Sequence, residues 1–133
     1  MNSKGLSLKS FLEGERLIAR WQPREEHQAF PGMLNGGICG ALLDCHSNWT
    51  AAMKIMQARK ESNPPCTVTA DFHVKLLRPT PIEGALELLA WVVHLSDDRA
   101  QIDAELRAQG RVTATCRGNF VAVKEGHPAF NRW

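Results

Sequence analysis

The sequence lacks a long apolar run, an excess of either charge and any paired-cysteine motif, and each absence removes a class of function. Its uninterrupted apolar stretches are only a few residues long, whereas a membrane-spanning helix needs roughly 20. The N-terminal Met1-Asn2-Ser3-Lys4-Gly5 has no apolar h-region. No secretory leader is therefore expected, and the reading places the chain in the cytoplasm. Sixteen Lys and Arg against 14 Asp and Glu leave a net charge of +2, too little to imply nucleic acid or a membrane surface as partner. Cys39, Cys45, Cys66 and Cys116 form no C-x-x-C pair and no regular framework, so they read as reduced, mostly buried thiols. His27, His73 and His94 are too scattered for a metal site, and none is expected. Internal repeats and low-complexity stretches are also missing.

What remains is a chain of 133 residues, 44% hydrophobic and 23% charged, the composition of one globular domain spanning 1–133. Leu6, Leu8 and Leu12, then Leu17, Ala19 and Trp21, alternate with mostly polar residues on either side of Gly14. This predicts a hairpin. Residues 22–35 read as a loop containing Pro31-Gly32. From Gly36 the period changes to that of a helix. Ile38, Leu42, Cys45, Trp49, Ala52, Met53 and Met56 fall on one stripe, expected to face the core. Asn35 is a suitable N-cap, and Pro64-Pro65 lies beyond the end. Roughly 22 residues make about 33 Å of helix. Four strand patterns follow, at 67–76, 85–95, 100–108 and 112–122. In the first, Val68, Ala70, Phe72, Val74 and Leu76 share one face, and Thr67, Thr69, Asp71, His73 and Lys75 the other. Two strands, one long helix and four strands in series give an α+β domain with an antiparallel sheet.

One residue stands out on the helix. Gly37, Ala41, Asp44, Asn48, Ala51 and Ile55 line up beside the first stripe, and most are small or apolar. Asp44 is the only carboxylate between Glu26 and Glu61.

The element order, with Leu34-Asn35-Gly36-Gly37-Ile38-Cys39-Gly40-Ala41-Leu42-Leu43-Asp44, resembles the hot-dog fold. It is most similar to the acyl-CoA thioesterases of the phenylacetyl-CoA and 4-hydroxybenzoyl-CoA type, the PaaI-like branch. Their helix opens on H-G-G with a carboxylate seven residues after the second glycine. Gly36-Gly37 and Asp44 occupy those places here, and Asn35 replaces the histidine. Val68-Thr69-Ala70-Asp71-Phe72-His73-Val74-Lys75-Leu76-Leu77-Arg78-Pro79 resembles the family's central strand, which also ends in proline.

The resemblance covers roughly residues 5–124 and implies a curved antiparallel sheet of about five to six strands wrapped around one central helix. It also implies a homodimer or a dimer of dimers, with sites at the dimer interface. Coenzyme A would enter only as part of the substrate, with no prosthetic group. Thr69 sits where some members carry a polar residue beside the site. His27 and Gln28 lie in the loop that often supplies a polar side chain for the attacking water.

These residue types suit thioester hydrolysis. The first turn of a helix offers free N–H groups and a positive dipole end, and glycines let a carbonyl approach them. Gly36 and Gly37 thus suit an oxyanion site, with Gly37 N–H the first choice. Asp44 would act as base or nucleophile. Along one helix Gly37 and Asp44 are about 11 Å apart, too far to meet at one thioester carbon. The family solution is that Gly37 of one subunit faces Asp44 of the other. Asn35, Asn48, His27 and Arg78 are the candidate substrate contacts, Arg78 toward the coenzyme A phosphates. Two other readings stay open. One is a non-hydrolytic acyl-CoA-binding protein, with Asn35 marking decay of the site. The other is a hot-dog dehydratase, since His27-Gln28-Ala29-Phe30-Pro31-Gly32 resembles the histidine loop of those enzymes.

Overall fold

The computed structural model describes residues 9–13, as backbone pairing, and 15–124. Strand β1 (Lys9–Glu13) runs antiparallel to β2 (Arg16–Trp21), with Leu12 opposite Leu17. The expected hairpin is therefore present, while Leu6, Leu8, its turn residue Gly14 and the tail 125–133 lie outside the described residues. In β2 the alternating Leu17, Ala19 and Trp21 are buried, and so is Ile18.

The segment expected to be a plain loop holds three short elements. A 3₁₀ turn at Glu25–His27 leads into β3 (Gln28–Phe30), which pairs with β4 (Met33–Leu34). Gly32 makes the turn between them at φ +82°, a conformation open to glycine at no steric cost. Helix α1 (Gly36–Arg59) follows, capped by Asn35 and closed by Lys60 in the left-handed conformation. Four long strands complete the chain: β5 (Thr67–Leu76), β6 (Leu86–Leu95), β7 (Arg99–Ala108) and β8 (Arg111–Ala122).

The main sheet is antiparallel and curved, in the order β1-β2-β6-β7-β8-β5, and α1 packs against it. One expectation changes here. The resemblance set residues 68–79 in a central strand, yet β5 is an edge of this chain's own sheet and pairs only with β8. The reason is topological. Strands β6, β7 and β8 are successive hairpins, and β2 already occupies the outer edge of β6. That leaves β8 as the partner for β5.

The face assignment within β5 changes too. A bulge falls between Thr69 and Asp71, adding one residue to the strand without advancing the ladder. Thr67 and Thr69 pair with Ala122 and Phe120, and Phe72, Val74 and Leu76 pair with Gly118, Cys116 and Ala114. All five β8 partners are even-numbered and share the helix-facing side, because directly opposed residues in an antiparallel pair point the same way. Thr67, Thr69, Phe72, Val74 and Leu76 therefore lie on one face. Simple alternation puts the threonines opposite Phe72. The bulge shifts the phase of everything after Ala70.

The core forms where α1 meets the sheet. Leu42, Leu43, Ile55, Leu86, Leu88, Ile102, Leu106 and Phe120 are fully buried. The helix's buried row is Cys39, Leu43, His46, Ser47, Thr50 and Ala51 rather than the predicted stripe. Of that stripe Leu42 and Ala52 are buried, while Ile38, Cys45, Trp49, Met53 and Met56 are half-buried. The stripe points to the flank because His46 and Thr50 are buried with their hydrogen bonds made, to the Leu17 and His46 carbonyls, and Ser47 is buried beside them. An apolar-only pattern cannot register them. All four cysteines are thiols outside any disulfide, Cys39 and Cys116 buried and Cys45 and Cys66 half-buried. No described helix is long and apolar enough to cross a membrane.

Candidate active site

The start of α1 is fixed by backbone hydrogen bonds before any side chain matters. Asn35 N–H donates to the His27 carbonyl at 2.8 Å, and Leu34 N–H to the Thr80 carbonyl at 2.8 Å. His27 is held in turn, its Nδ1 accepting from Arg24 N–H at 2.9 Å and its ring lying 4.8 Å from that of Trp21. The 3₁₀ turn thus fixes the height of the helix. His27 acts here through its carbonyl and its packing.

Four amides at a helix start have no partner within the helix. Asn35 serves two of them and takes the helix's first i→i−4 bond, from Cys39. Its Oδ1 accepts from Gly37 N–H at 2.7 Å, and its carbonyl accepts from Ile38 and Cys39. Gly36 N–H is the amide of this turn with no partner among the described residues. The amide first expected to bind a carbonyl is thus occupied, and its neighbour is open. Gly36 also lets β5 approach, since a Cβ there would meet Leu76 Cδ1 at 3.1 Å.

Two turns on, Asp44 is half-buried, and the Thr69 hydroxyl donates to its Oδ1 at 2.7 Å. Burial raises its carboxyl above the ordinary aspartate value, and the Thr69 hydrogen bond offsets part of that rise. The structure thus brings together Asp44 and Thr69, as far apart in sequence as they are. It does not bring the glycine pair to Asp44, since all three are on one straight helix.

One turn beyond, Asn48 is 4% exposed. Its Nδ2 donates to the Thr67 carbonyl at 3.3 Å, and Thr67 Oγ1 donates back to the Asn48 carbonyl at 3.4 Å. Thr67 was missed in the sequence. The available signal was its place two residues before Thr69 on the same strand face. Arg78, just past β5, is exposed, and its guanidinium has no ion pair among the described residues.

The nearby thiols are not competing nucleophiles. Burial raises Cys45, and Asp44 raises it further. Cys116 is pushed up to about 11 by burial and by the same carboxylate. A thiol so raised is almost entirely protonated at neutral pH. His46, adjacent to Cys45, is fully buried with Nε2 2.9 Å from the Leu17 carbonyl, so it is a core histidine. Among the described residues, no group of three or more His, Cys, Asp or Glu is placed to hold a metal ion.

A model of the thioesterase superfamily matches residues 32–115 of the sequence, a span that contains both the glycine pair and Asp44. The chain belongs to the thioesterase superfamily. Its enzymes are thioester hydrolases, so the acid at residue 44 and the amides at the helix start lie in a hydrolase framework. Solved relatives share the fold over nearly the whole chain. A thioesterase superfamily protein from Shewanella loihica is 30% identical, with a TM-score of 0.74, covering 89% of this chain and 92% of its own. The E. coli PaaI protein from the phenylacetic acid degradation operon is 17% identical, with a TM-score of 0.74 over 92% and 83%. A Bacillus halodurans protein crystallised with CoA is 20% identical, with a TM-score of 0.74 over 92% and 78%. No curated protein matches. The last two likenesses are of fold. The thioesterase framework itself rests on the family match.

Proposed function

We propose that this thioesterase hydrolyses acyl-CoA thioesters at sites shared by two protomers. The observation that carries the reading is the Asp44 carboxylate, half-buried on α1 and oriented by Thr69 at 2.7 Å, about 12 Å along the helix from the open Gly36 amide. A second copy supplies what one chain cannot. The Gly36 amide of one protomer, with Gly37 beside it, polarises the thioester carbonyl. Asp44 of the other takes a proton from water, or attacks the carbonyl carbon itself. On the first route the water oxygen bonds to the carbonyl carbon, the carbon–sulfur bond breaks, coenzyme A leaves as the thiol with the proton Asp44 took, and the acyl group leaves as the free acid. On the second, the bond breaks to an acyl–Asp44 anhydride and the coenzyme A thiolate, and water then cleaves the anhydride, freeing the acid and supplying the thiolate's proton. The exposed Arg78 is assigned to the coenzyme's phosphates. No prosthetic group is needed.

Pairing of two chains has support in β5. It is a ten-residue edge strand with Phe72 46% and Leu76 59% exposed on its helix-facing side. A long edge with exposed apolar residues is a ready template for pairing with another chain. The CoA-bound structural relative from Bacillus halodurans supports CoA esters as the substrate class.

The test is a panel of short, long and aromatic acyl-CoAs with detection of the released thiol. Asp44→Asn is expected to lower the rate at least about 100-fold on any active substrate, with the fold intact. Wild-type turnover by a folded Asp44→Asn protein would overturn the role given to Asp44. A second reading, an acyl-CoA-binding protein without turnover, is favoured by one fact: Asn35 Oδ1 occupies the Gly37 amide. Saturable binding with no thiol released across the panel would establish it.

A further inference from the structure

We propose that Asn48 is a positioning residue of this site: by tying the edge strand β5 to α1 at Thr67, it keeps the Thr69 hydroxyl on the Asp44 carboxylate. The kinetic part of this inference rests on the acyl-CoA hydrolase reading, while its structural part does not.

The helix row comes first. Asp44 and Asn48 are four residues apart, and so neighbours on one face of α1. Each meets a threonine of β5, Asp44 at Thr69 and Asn48 at Thr67. Thr67 and Thr69 are two residues apart on the same face of the strand. The two pairs are therefore successive rungs between one helix and one strand. The Asn48 rung is reciprocal, with the amide donating to the Thr67 carbonyl and the Thr67 hydroxyl to the Asn48 carbonyl. Both bonds are long, at 3.3 and 3.4 Å. Together they close one gap from both sides.

The strand needs such a tie at this point. Within its own protomer strand β5 has a ladder partner on one side only, and the bulge interrupts that ladder immediately after Thr69. An unpaired bulge residue weakens local pairing and bends the strand. The Thr69 hydroxyl therefore depends on its neighbours for its place over Asp44, and the nearest tie to the helix is at Thr67.

Asn48 is also a poor choice if stability were the only demand. Its Oδ1 is buried and has no hydrogen-bond partner among the described residues. An unmet buried acceptor is costly, and native proteins have few. Leucine has nearly the same shape and would bury without that cost. What asparagine adds is the amide that holds β5. Among the described residues, the titratable groups that feel the Asp44 charge are the Cys45 thiol on its own helix and Cys116 on β8. Both are held protonated, so neither changes charge while Asp44 titrates.

The experiment compares Asn48→Leu, Thr67→Val and Thr67→Ser with the wild type. Three readouts are taken: the Asp44 carboxyl titration by 13C NMR, assigned with Asp44→Asn; kcat and KM on whichever acyl-CoA is turned over; and thermal stability. Asn48→Leu is expected to move the Asp44 midpoint up by roughly half a unit or more, because the hydrogen bond favouring the charged form is loosened. It should lower kcat about tenfold with KM nearly unchanged, at equal or higher Tm. Thr67→Val should shift both quantities in the same direction by less, and Thr67→Ser should behave as wild type. Unchanged kcat and an unchanged Asp44 midpoint in folded Asn48→Leu would overturn the proposal. If that variant does not fold, the same result in Thr67→Val would. The titration needs no substrate. If the wild type cleaves no acyl-CoA, the hydrolase reading falls, and the tie at Thr67 is still judged by the Asp44 midpoint.

Discussion

Between Gly36 and Cys45, helix α1 exposes Gly37 and Ala41 and half-buries Asp44, while Leu42 and Leu43 hold it to the core. Between His46 and Ile55 the same helix buries His46, Ser47, Asn48, Thr50, Ala51, Ala52 and Ile55. Polarity does not separate the two halves, since the buried half carries more polar side chains. The difference lies in where hydrogen-bonding capacity goes. In the second half it is mostly closed inside the fold: His46 to the Leu17 carbonyl, Thr50 to the His46 carbonyl, Asn48 to the Thr67 carbonyl. In the first half the Gly36 amide has no partner among the described residues, and the half-buried Asp44 carboxylate meets the Thr69 hydroxyl. On the proposed reading, a scaffold half and a working half share one helix.

That contrast can be broken from either end. The largest effect is expected at Gly36→Pro. Proline is well tolerated at the first helical position, and Asn35 already has the extended backbone, φ −63° and ψ 133°, that a following proline requires. The substitution removes the one open amide, and the Cβ it adds displaces only the exposed, flexible end of Leu76. Hydrolysis should fall on the order of 10²–10³-fold in a protein of wild-type circular dichroism. An unchanged rate would move the oxyanion site to Gly37, with Asn35 displaced.

On the scaffold side, Leu43→Ala should cost about 2–5 kcal/mol in chemical denaturation, because Leu43 is fully buried. The same variant should leave kcat within a few-fold at a temperature where it is folded. A parallel loss of kcat would show that the two halves are not separable.

Two pH effects are smaller and opposite in sign. Burial lowers His46 below the ordinary histidine value, so its neutral form is preferred in the folded state. Its contribution to stability is present above the unfolded-state value near 6.5 and is lost as pH falls through the folded one. Denaturant midpoints should therefore drop between about pH 7 and pH 5, and His46→Gln should flatten that slope. Asp44 is raised, so its contribution is present below its unfolded-state value and lost as pH rises through the folded one. At neutral pH the charged Asp44 thus costs stability, and Asp44→Asn should raise Tm slightly while abolishing activity. A fall in Tm would place Asp44 on the scaffold side of the comparison.

Much of this was legible from residues alone. Asn35 as cap, Gly36 as first helical residue, the alternating Ala100, Ile102, Ala104, Leu106 and Ala108, and the lone Asp44 on a small-residue flank all follow from local pattern. Three features were not. The core-facing row of α1 was hidden because it carries His46, Ser47 and Thr50, and His46 and Thr50 bury like apolar residues once their hydrogen bonds are closed. The phase of β5 was hidden because a bulge leaves no mark in composition, and Ala70 looks like any other residue of an alternating run. The occupancy of the Gly37 amide was hidden because a cap and an oxyanion donor compete for the same N–H, and only coordinates show which has it.

Periodicity and spacing alone thus determined the types of the long elements, the helix start and which carboxylate to watch. These depend on near neighbours along the chain, whose geometry is set by 3.6 residues per turn or by two per pleat. The tertiary structure decided that β5 lies at an edge, that Thr67 and Thr69 face the helix, and that Asp44 is half-buried against one of them. Those outcomes depend on which strand finds a free neighbour and on one residue of slip. Such energies arise between segments far apart in sequence, and no local window contains them.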